Sequence, residues 1–234
     1  MGKFKKTNLL WVLTVCIEVM LLILEFKYIR RNSKEMTCII FMQVYNQLMI
    51  CSVLLPLYAI LICINIKNNM YFSKLLNYGN RSRWISNIYK ENLIVTIKYI
   101  LLLLVPYSIL SFVGCIKYRS IIDVIYIIFT IISYIVAFYA LSFVIIAIKL
   151  KFNNDILAII SIILICILPF SIIDRIILSD ISIFLNAGNF FVNYRYIWVY
   201  HEIAIVIMLI VTFLLFKGTT YLTKKLDLLW RDKE

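Results

Sequence analysis

Long runs of apolar residues alternate with short polar segments along the whole chain. A helix needs about 20 apolar residues to cross the hydrocarbon core of a bilayer, and six runs reach or approach that length. The predicted transmembrane helices cover residues 9–26, 42–66, 93–114, 124–148, 156–173 and 201–216. The pattern therefore predicts an all-α, polytopic membrane protein in which residues 1–234 form a single transmembrane domain.

The composition points in the same direction. Hydrophobic residues make up 64% of the chain and charged residues 15%, against about 45–50% and about 25% in soluble domains. The net charge of +12 raises the question of nucleic acid. Basic residues in membrane proteins, however, collect on the cytoplasmic side, where anionic lipids attract them. We therefore expect the lipid bilayer as a partner and no nucleic acid.

The distribution of basic residues predicts the orientation of the helices. If both termini are cytoplasmic, sixteen of the 24 Lys and Arg residues lie inside and eight outside, as the positive-inside rule requires. The first run has no small-x-small cleavage site and is interrupted by Glu18, so we expect it to be retained as a helix. Frequent Ile, Lys and Asn are typical of an AT-rich bacterium. The sequence thus predicts a multi-pass protein of a bacterial cytoplasmic (plasma) membrane.

The polar segment 67–92 is too long for a tight turn and has a helical pattern on both sides of Gly79. Because Gly readily ends a helix, we expect two short helices at the inner membrane surface. In the second helix Trp84, Ile85 and Ile88 share one side, whereas the basic residues lie mostly on the other. Such an amphipathic element either meets a soluble partner or rests on lipid.

Residues 174–200 are apolar but interrupted by several polar residues. This pattern predicts two short helices that dip into the membrane and return, with a turn near residues 186–189. Irregular backbone at such a depth requires cover by protein. The alternative is an ordinary interfacial helix, in which the aromatic residues between positions 194 and 200 form a belt.

Charged residues inside predicted spans are candidates for a translocation pathway, because a membrane tolerates them only at a cost. The candidates are Glu18, Lys98 and Glu202. Glu18 is the deepest, and we expect it either to line a cavity or to make a structural hydrogen bond. Lys98 either pairs with Glu18 or extends to the inner surface. Glu25 lies near the outer edge of its helix, where we expect it to face water.

The sequence argues against catalysis by this chain. His201 is the only histidine, so neither an H-E-x-x-H zinc site nor a nucleophile paired with a second histidine can form. There is no G-x-x-x-x-G-K-[ST] segment, so the chain has no P-loop for ATP. The six cysteines include no C-x-x-C pair. We expect no enzyme activity, no metal site and no cofactor bound by this chain.

The order of these parts resembles the permease subunit of an ABC-2 type ABC transporter, in the small Gram-positive group for bacteriocin or peptide export or immunity. The polar segment carries the resemblance through an aromatic residue, Gly, a polar residue, basic residues and Trp. These are Tyr78, Gly79, Asn80, Arg81, Arg83 and Trp84. One difference is that the segment before the first predicted helix, residues 1–8, is short.

The resemblance implies that the loop of residues 67–92 contains a coupling helix that binds a separate ATP-binding subunit. The implied contact residues are Phe72, Leu76, Tyr78, Gly79, Arg81, Arg83, Trp84, Ile85 and Ile88. The resemblance also implies that the re-entrant helices of residues 174–200 form an outer gate. Its candidate residues are Asn186, Gly188, Asn189 and Phe190.

The function that the resemblance implies is movement of an amphipathic substrate across the membrane, such as a peptide, a bacteriocin or a lipid-like molecule. ATP and Mg²⁺ would be bound by two copies of the ATP-binding subunit. A second permease chain, identical or homologous, would complete the pathway. The alternative is a stand-alone membrane immunity or accessory protein that transports nothing.

Overall fold

The computed structural model describes residues 2–31, 50–69, 81–114, 121–176 and 197–225. Within these ranges every residue except Asn153 and Asn154 is helical, which confirms the predicted all-α class for the described part. A π-helical turn, Ile50–Leu54, leads into the second helix. The helices are α1 (Gly2–Arg31), α2 (Leu55–Asn69), α3 (Arg81–Gly114), α4 (Ile121–Phe152), α5 (Asp155–Ile176) and α6 (Ile197–Lys225).

Five described segments are long and apolar enough to cross a membrane. They are Asn8–Lys27, Ser52–Asn69, Ser82–Leu110, Ile127–Phe152 and Val206–Thr223. In α5 the described apolar stretch, Asp155–Ile165, is shorter than a span. Long apolar helices of this kind fit a multi-pass membrane protein, and in the described residues five of the six predicted spans meet the criterion.

The third helix differs most from its predicted bounds. We expected a break after residue 90 and a span that starts at residue 93, whereas α3 runs without interruption from Arg81 to Gly114. Residues 81–92 contain neither Gly nor Pro, so no residue there ends the helix. Pro106 lies within α3. Most of the predicted loop 67–92 is thus helical, and its residues 70–80 lie outside the described residues.

The fourth helix occupies the centre of the described bundle. It packs against α6, α3, α5 and α2, whereas α1 packs mainly against α3 and also contacts α2. The core is formed mainly by α2, α3 and α4, and it includes the fully buried rings of Tyr58, Tyr99 and Phe138. These three rings contact one another at centroid distances of 5.0–6.1 Å.

Only two residues connect α4 to α5. Asn153 has a positive φ of 50°, a conformation that Asn tolerates better than most residues, and its N–H donates to Lys149 O at 2.9 Å. Asn154 then caps α5, because its Oδ1 accepts from the N–H groups of Ile156 and Leu157 at 2.9 and 3.2 Å. Lys149, which is buried, forms an ion pair with Asp155 across this turn.

Candidate functional site

Polar residues recur on one side of the otherwise apolar α2. Tyr58, Asn65 and Asn69 are spaced by seven and four residues, so they lie on the same face of the helix. That face packs against α3, where Asn92 and Thr96 are fully buried. Two helices within a membrane therefore meet through polar side chains, an arrangement that must be hydrogen-bonded to be tolerated.

The C-terminus of α2 is fixed to α3 by side chains of both helices. Trp84 Nε1 donates to Asn69 O at 2.7 Å, and this carbonyl belongs to the last residue of α2. Asn69 Nδ2 donates to Glu91 Oε2. The other carboxylate oxygen, Glu91 Oε1, accepts from Asn87 Nδ2 at 2.9 Å. Both oxygens of Glu91 are therefore engaged.

A second set of hydrogen bonds continues the contact toward the middle of the bundle. Asn65 Nδ2 donates to Asn92 Oδ1 at 2.6 Å. Thr96 Oγ1 donates to Asn92 O at 2.7 Å, and the Tyr58 hydroxyl lies 2.7 Å from Thr96 Oγ1. Tyr58 also donates to Phe138 O in α4 at 2.8 Å. We call Asn65, Asn69, Trp84, Glu91 and Asn92 the α2–α3 clamp.

Tyr89 connects α3 to α6 at the same level. Its hydroxyl lies 2.8 Å from Thr219 Oγ1 and 3.3 Å from Thr220 Oγ1. Its ring contacts Phe143 of α4 and Phe216 of α6 at centroid distances of 5.0 and 5.1 Å. The ends of α2, α3, α4 and α6 that lie near this level carry exposed cations, so we call this end of the bundle the basic end. Its exposed cations are Lys67, Arg83, Lys90, Lys151 and Lys217.

The predicted contact residues of the polar segment fall into separate environments. Trp84, Ile85 and Ile88 are buried against the chain's own helices, at 1%, 3% and 0% exposure. Arg83 is exposed, as are Ser82, Ser86 and Lys90. The residues that we expected to face a partner thus face the core of this chain, and the exposed side of α3 is polar and basic.

The remaining members of the predicted contact lie mainly outside the described residues. The backbone of Arg81 begins α3, but its side chain is not among those described. Phe72, Leu76, Tyr78 and Gly79 lie outside the described residues altogether. Their contact with a partner stays a prediction.

The three pathway candidates differ in the exposure of their side chains. Glu18 is 4% exposed, Lys98 is exposed, and Glu202 belongs to α6 with a side chain outside the described part. The surroundings of Glu18 include Tyr99 of α3. The structure therefore buries the carboxylate and leaves the lysine at the surface.

Sequence reasoning missed the second carboxylate of α1. Glu25, which we expected to face water, is 0% exposed. It belongs to a buried stripe with Thr14, Glu18 and Leu21, spaced by four, three and four residues. That spacing is a visible signal, because it is the period of a helix face that packs on a neighbour.

The outer-gate candidates cannot be placed on this fold. Asn186, Gly188, Asn189 and Phe190 lie outside the described residues, as does most of the predicted re-entrant segment. Among the side chains that are described, there is no group of three or more His, Cys, Asp or Glu residues that could hold a metal ion.

The clamp, Tyr58 and Tyr89 connect four helices by hydrogen bonds near one end of the bundle, and they contain no nucleophile–base pair. Comparison with known proteins adds no relative, since no family model, curated protein or solved structure matches this chain.

Proposed function

We propose that this chain is the transmembrane permease subunit of a transporter whose ATP is hydrolysed by a separate partner. It moves an amphipathic substrate, such as a peptide, a bacteriocin or a lipid-like molecule, across the membrane. A second permease chain, identical or homologous, completes the pathway. The proposal is supported by the apolar helices, by the resemblance in the order of parts, and by the geometry of the basic end.

The observation that carries the proposal is the continuity of α3. The helix, Arg81–Gly114, is 34 residues long, which is about 51 Å at 1.5 Å per residue. This exceeds the hydrocarbon core of about 30 Å, so a tilted or protruding α3 reaches the aqueous boundary at the basic end. A force applied there is transmitted along an unbroken helix to the middle of the membrane.

The clamp determines which helices such a force would move. Because Trp84 and Glu91 bind Asn69, the ends of α2 and α3 move together. Tyr89 extends the connection to α6 through Thr219. We therefore assign Trp84 a positioning role in place of the predicted partner contact. The partner contacts the exposed side of α3 instead, at Ser82, Arg83, Ser86 and Lys90.

The buried stripe of α1 supplies the polar part of the proposed pathway. Thr14, Glu18 and Glu25 face the rest of the bundle from a helix whose other sides are apolar and exposed. Carboxylates kept inside a membrane span are functional candidates for that reason. In this proposal Glu18 lies along the route, at the level of Tyr99.

The test is the association of the chain with an ATP-binding subunit. We expect the full chain, purified in mild detergent, to retain a P-loop protein identified by mass spectrometry. The double charge reversal Arg83→Glu with Lys90→Glu should release that protein. Lys151→Glu, at an exposed cation on α4, is the matched control and should retain it.

Two outcomes would contradict the proposal. One is that no P-loop protein co-purifies while the purified chain remains folded. The other is that the double reversal leaves both association and transport unchanged. Protection of cells against a bacteriocin that survives either outcome would favour the stand-alone immunity or accessory protein.

A further inference from the structure

The sixth helix buries a narrow stripe and exposes most of its surface. Met208, Thr219 and Thr223 are buried at 3%, 2% and 3% exposure. On the opposite side of the helix, a line of exposed residues is spaced by four, three, four and four positions. These residues are Val206, Ile210, Phe213, Lys217 and Tyr221. The first three are apolar, the fourth is cationic and the last is an aromatic residue with a hydroxyl.

The length of this line matches one leaflet of a bilayer. Val206 and Lys217 are eleven residues apart, which corresponds to about 16 Å along a helix. Half of the hydrocarbon core is about 15 Å. The line from Val206 to Lys217 therefore spans about one leaflet, with the cation at its end.

Lys217 lies at the level where the polar part of α3 begins. Its neighbour Phe216 contacts Tyr89 at a centroid distance of 5.1 Å, and Tyr89 is followed by Lys90 and Glu91. Exposed cations at one level of two neighbouring helices, here Lys90 and Lys217, indicate the boundary between hydrocarbon and headgroups. The backbone of Lys217 is thus at headgroup depth.

The direction of Lys217 and the space beside it favour an occupant from the membrane. Its Nζ lies 5.4 Å from the centroid of the Phe213 ring, so the side chain extends along α6 toward the apolar stretch. A Cβ added to Gly218 would meet nothing within 4 Å, so there is open space next to Lys217 for a headgroup. Tyr221, which borders the same space, is 58% exposed.

The cation at the end of the line is open to an anion. Among the described side chains at this end, the carboxylates are Glu91 and Asp155, and both are bound by residues of the chain itself. Lys217 forms no ion pair with the described side chains, so its charge can attract an anion from the membrane. In a membrane, the anion available at headgroup depth is a lipid phosphate.

We propose that the line from Val206 to Tyr221 binds one anionic phospholipid of the leaflet at the basic end. The acyl chain lies along Val206, Ile210 and Phe213. The phosphate contacts Lys217 over Gly218. This inference is independent of the transport proposal, because it requires no ATP-binding partner.

The experiment is native mass spectrometry of the full chain with phosphatidylglycerol and phosphatidylcholine of identical acyl chains. We expect phosphatidylglycerol to bind preferentially, and Lys217→Gln to weaken that binding about fivefold, the effect of one lysine near an anionic surface. Lys217→Arg should retain it. Lys151→Gln, the matched control on α4, should weaken it less than twofold.

A second variant tests the open space beside Gly218 separately from the charge of Lys217. Gly218→Leu keeps Lys217 but fills the open space, so it should also weaken phosphatidylglycerol binding. Equal binding of the two lipids, or equal effects of Lys217→Gln and Lys151→Gln, would overturn the proposal. The proposal would also be overturned if two Ile210→Cys chains formed a disulfide and the cross-linked dimer bound no lipid, because a second copy would then cover this face.

Discussion

The spans of α2 and α6 differ in how the rest of the chain covers them. In the α2 span 56% of the residues are buried, against 17% in the α6 span. Asn65 and Asn69 of the α2 span form hydrogen bonds with Asn92 and Glu91 of α3. The described threonines of α6 mostly bond to their own helix, as Thr212 does to Met208 O at 2.6 Å.

The difference shows what fixes a helix in a solvent that is as apolar as its side chains. Packing of Leu or Ile against lipid is nearly as favourable as packing against another helix, so apolar contact selects a neighbour only weakly. Polar contacts select strongly, because an unmade hydrogen bond in hydrocarbon costs free energy. The α2–α3 pair is thus specified by its amides, whereas α6 packs mainly on α4 and is hydrogen-bonded to α3 near Tyr89.

The largest expected effect concerns the ring at the centre of the clamp. Trp84→Ala removes a fully buried indole and should lower the free energy of unfolding by about 3–5 kcal/mol. Leu214→Ala, at a residue that is 62% exposed on α6, should change it by less than about 0.5 kcal/mol. Thermal unfolding in one detergent measures both. Similar losses would show that α6 is packed as closely as α3, and the comparison would fail.

Trp84→Phe separates the hydrogen bond of the indole from its volume. The phenyl ring retains most of the packing but cannot donate to Asn69 O. We expect a loss of about 0.5–1.5 kcal/mol, the net value of one hydrogen bond. Chymotryptic cleavage near the end of α2 should become faster, because the carbonyl of its last residue loses its donor.

A smaller effect is expected from the amide pair. Asn65→Leu and Asn92→Leu each leave the partner amide without its hydrogen bond, whereas the double variant removes both amides. The coupling energy in a double-mutant cycle should be about 0.6 kcal/mol, the average found for hydrogen bonds between membrane helices. Additive losses would show that the 2.6 Å contact contributes no specificity.

The sequence predicted the helices well because their signal is simple. Runs of apolar residues determine where a helix can lie in a membrane, and five of the expected spans satisfy that criterion in the described part. The start of α3 was missed because the polar residues after Gly79 were taken as a short separate helix in the loop before the span. Polarity indicates contact with water or with another polar group, and Glu91 and Asn92 make the second kind of contact.

The site was harder to predict than the fold. Trp84, Ile85 and Ile88 were identified as one face, which is correct for their burial, but the sequence does not say whether a face meets a partner or the chain itself. The clamp combines residues from positions 65–92, and only the pairing of α2 with α3 brings them together. The spacing of Tyr58, Asn65 and Asn69 was nevertheless visible beforehand.

The smallest effect should come from the connection between α3 and α6. Tyr89→Phe removes the hydroxyl that reaches Thr219 and Thr220. Thr219 Oγ1 also donates to Leu215 O at 2.9 Å, so its bonding is only partly lost, and the cost should be near the low end of about 0.5–1.5 kcal/mol. Hydrogen exchange should rise in the C-terminal turns of α6 and stay unchanged in α2.

Tyr139→Phe, which loses only a 3.4 Å contact with Tyr89 O, is the control. A rise in α2 as large as that in α6 would mean that the clamp and α6 open as one unit, and α6 would then be no less fixed than α2.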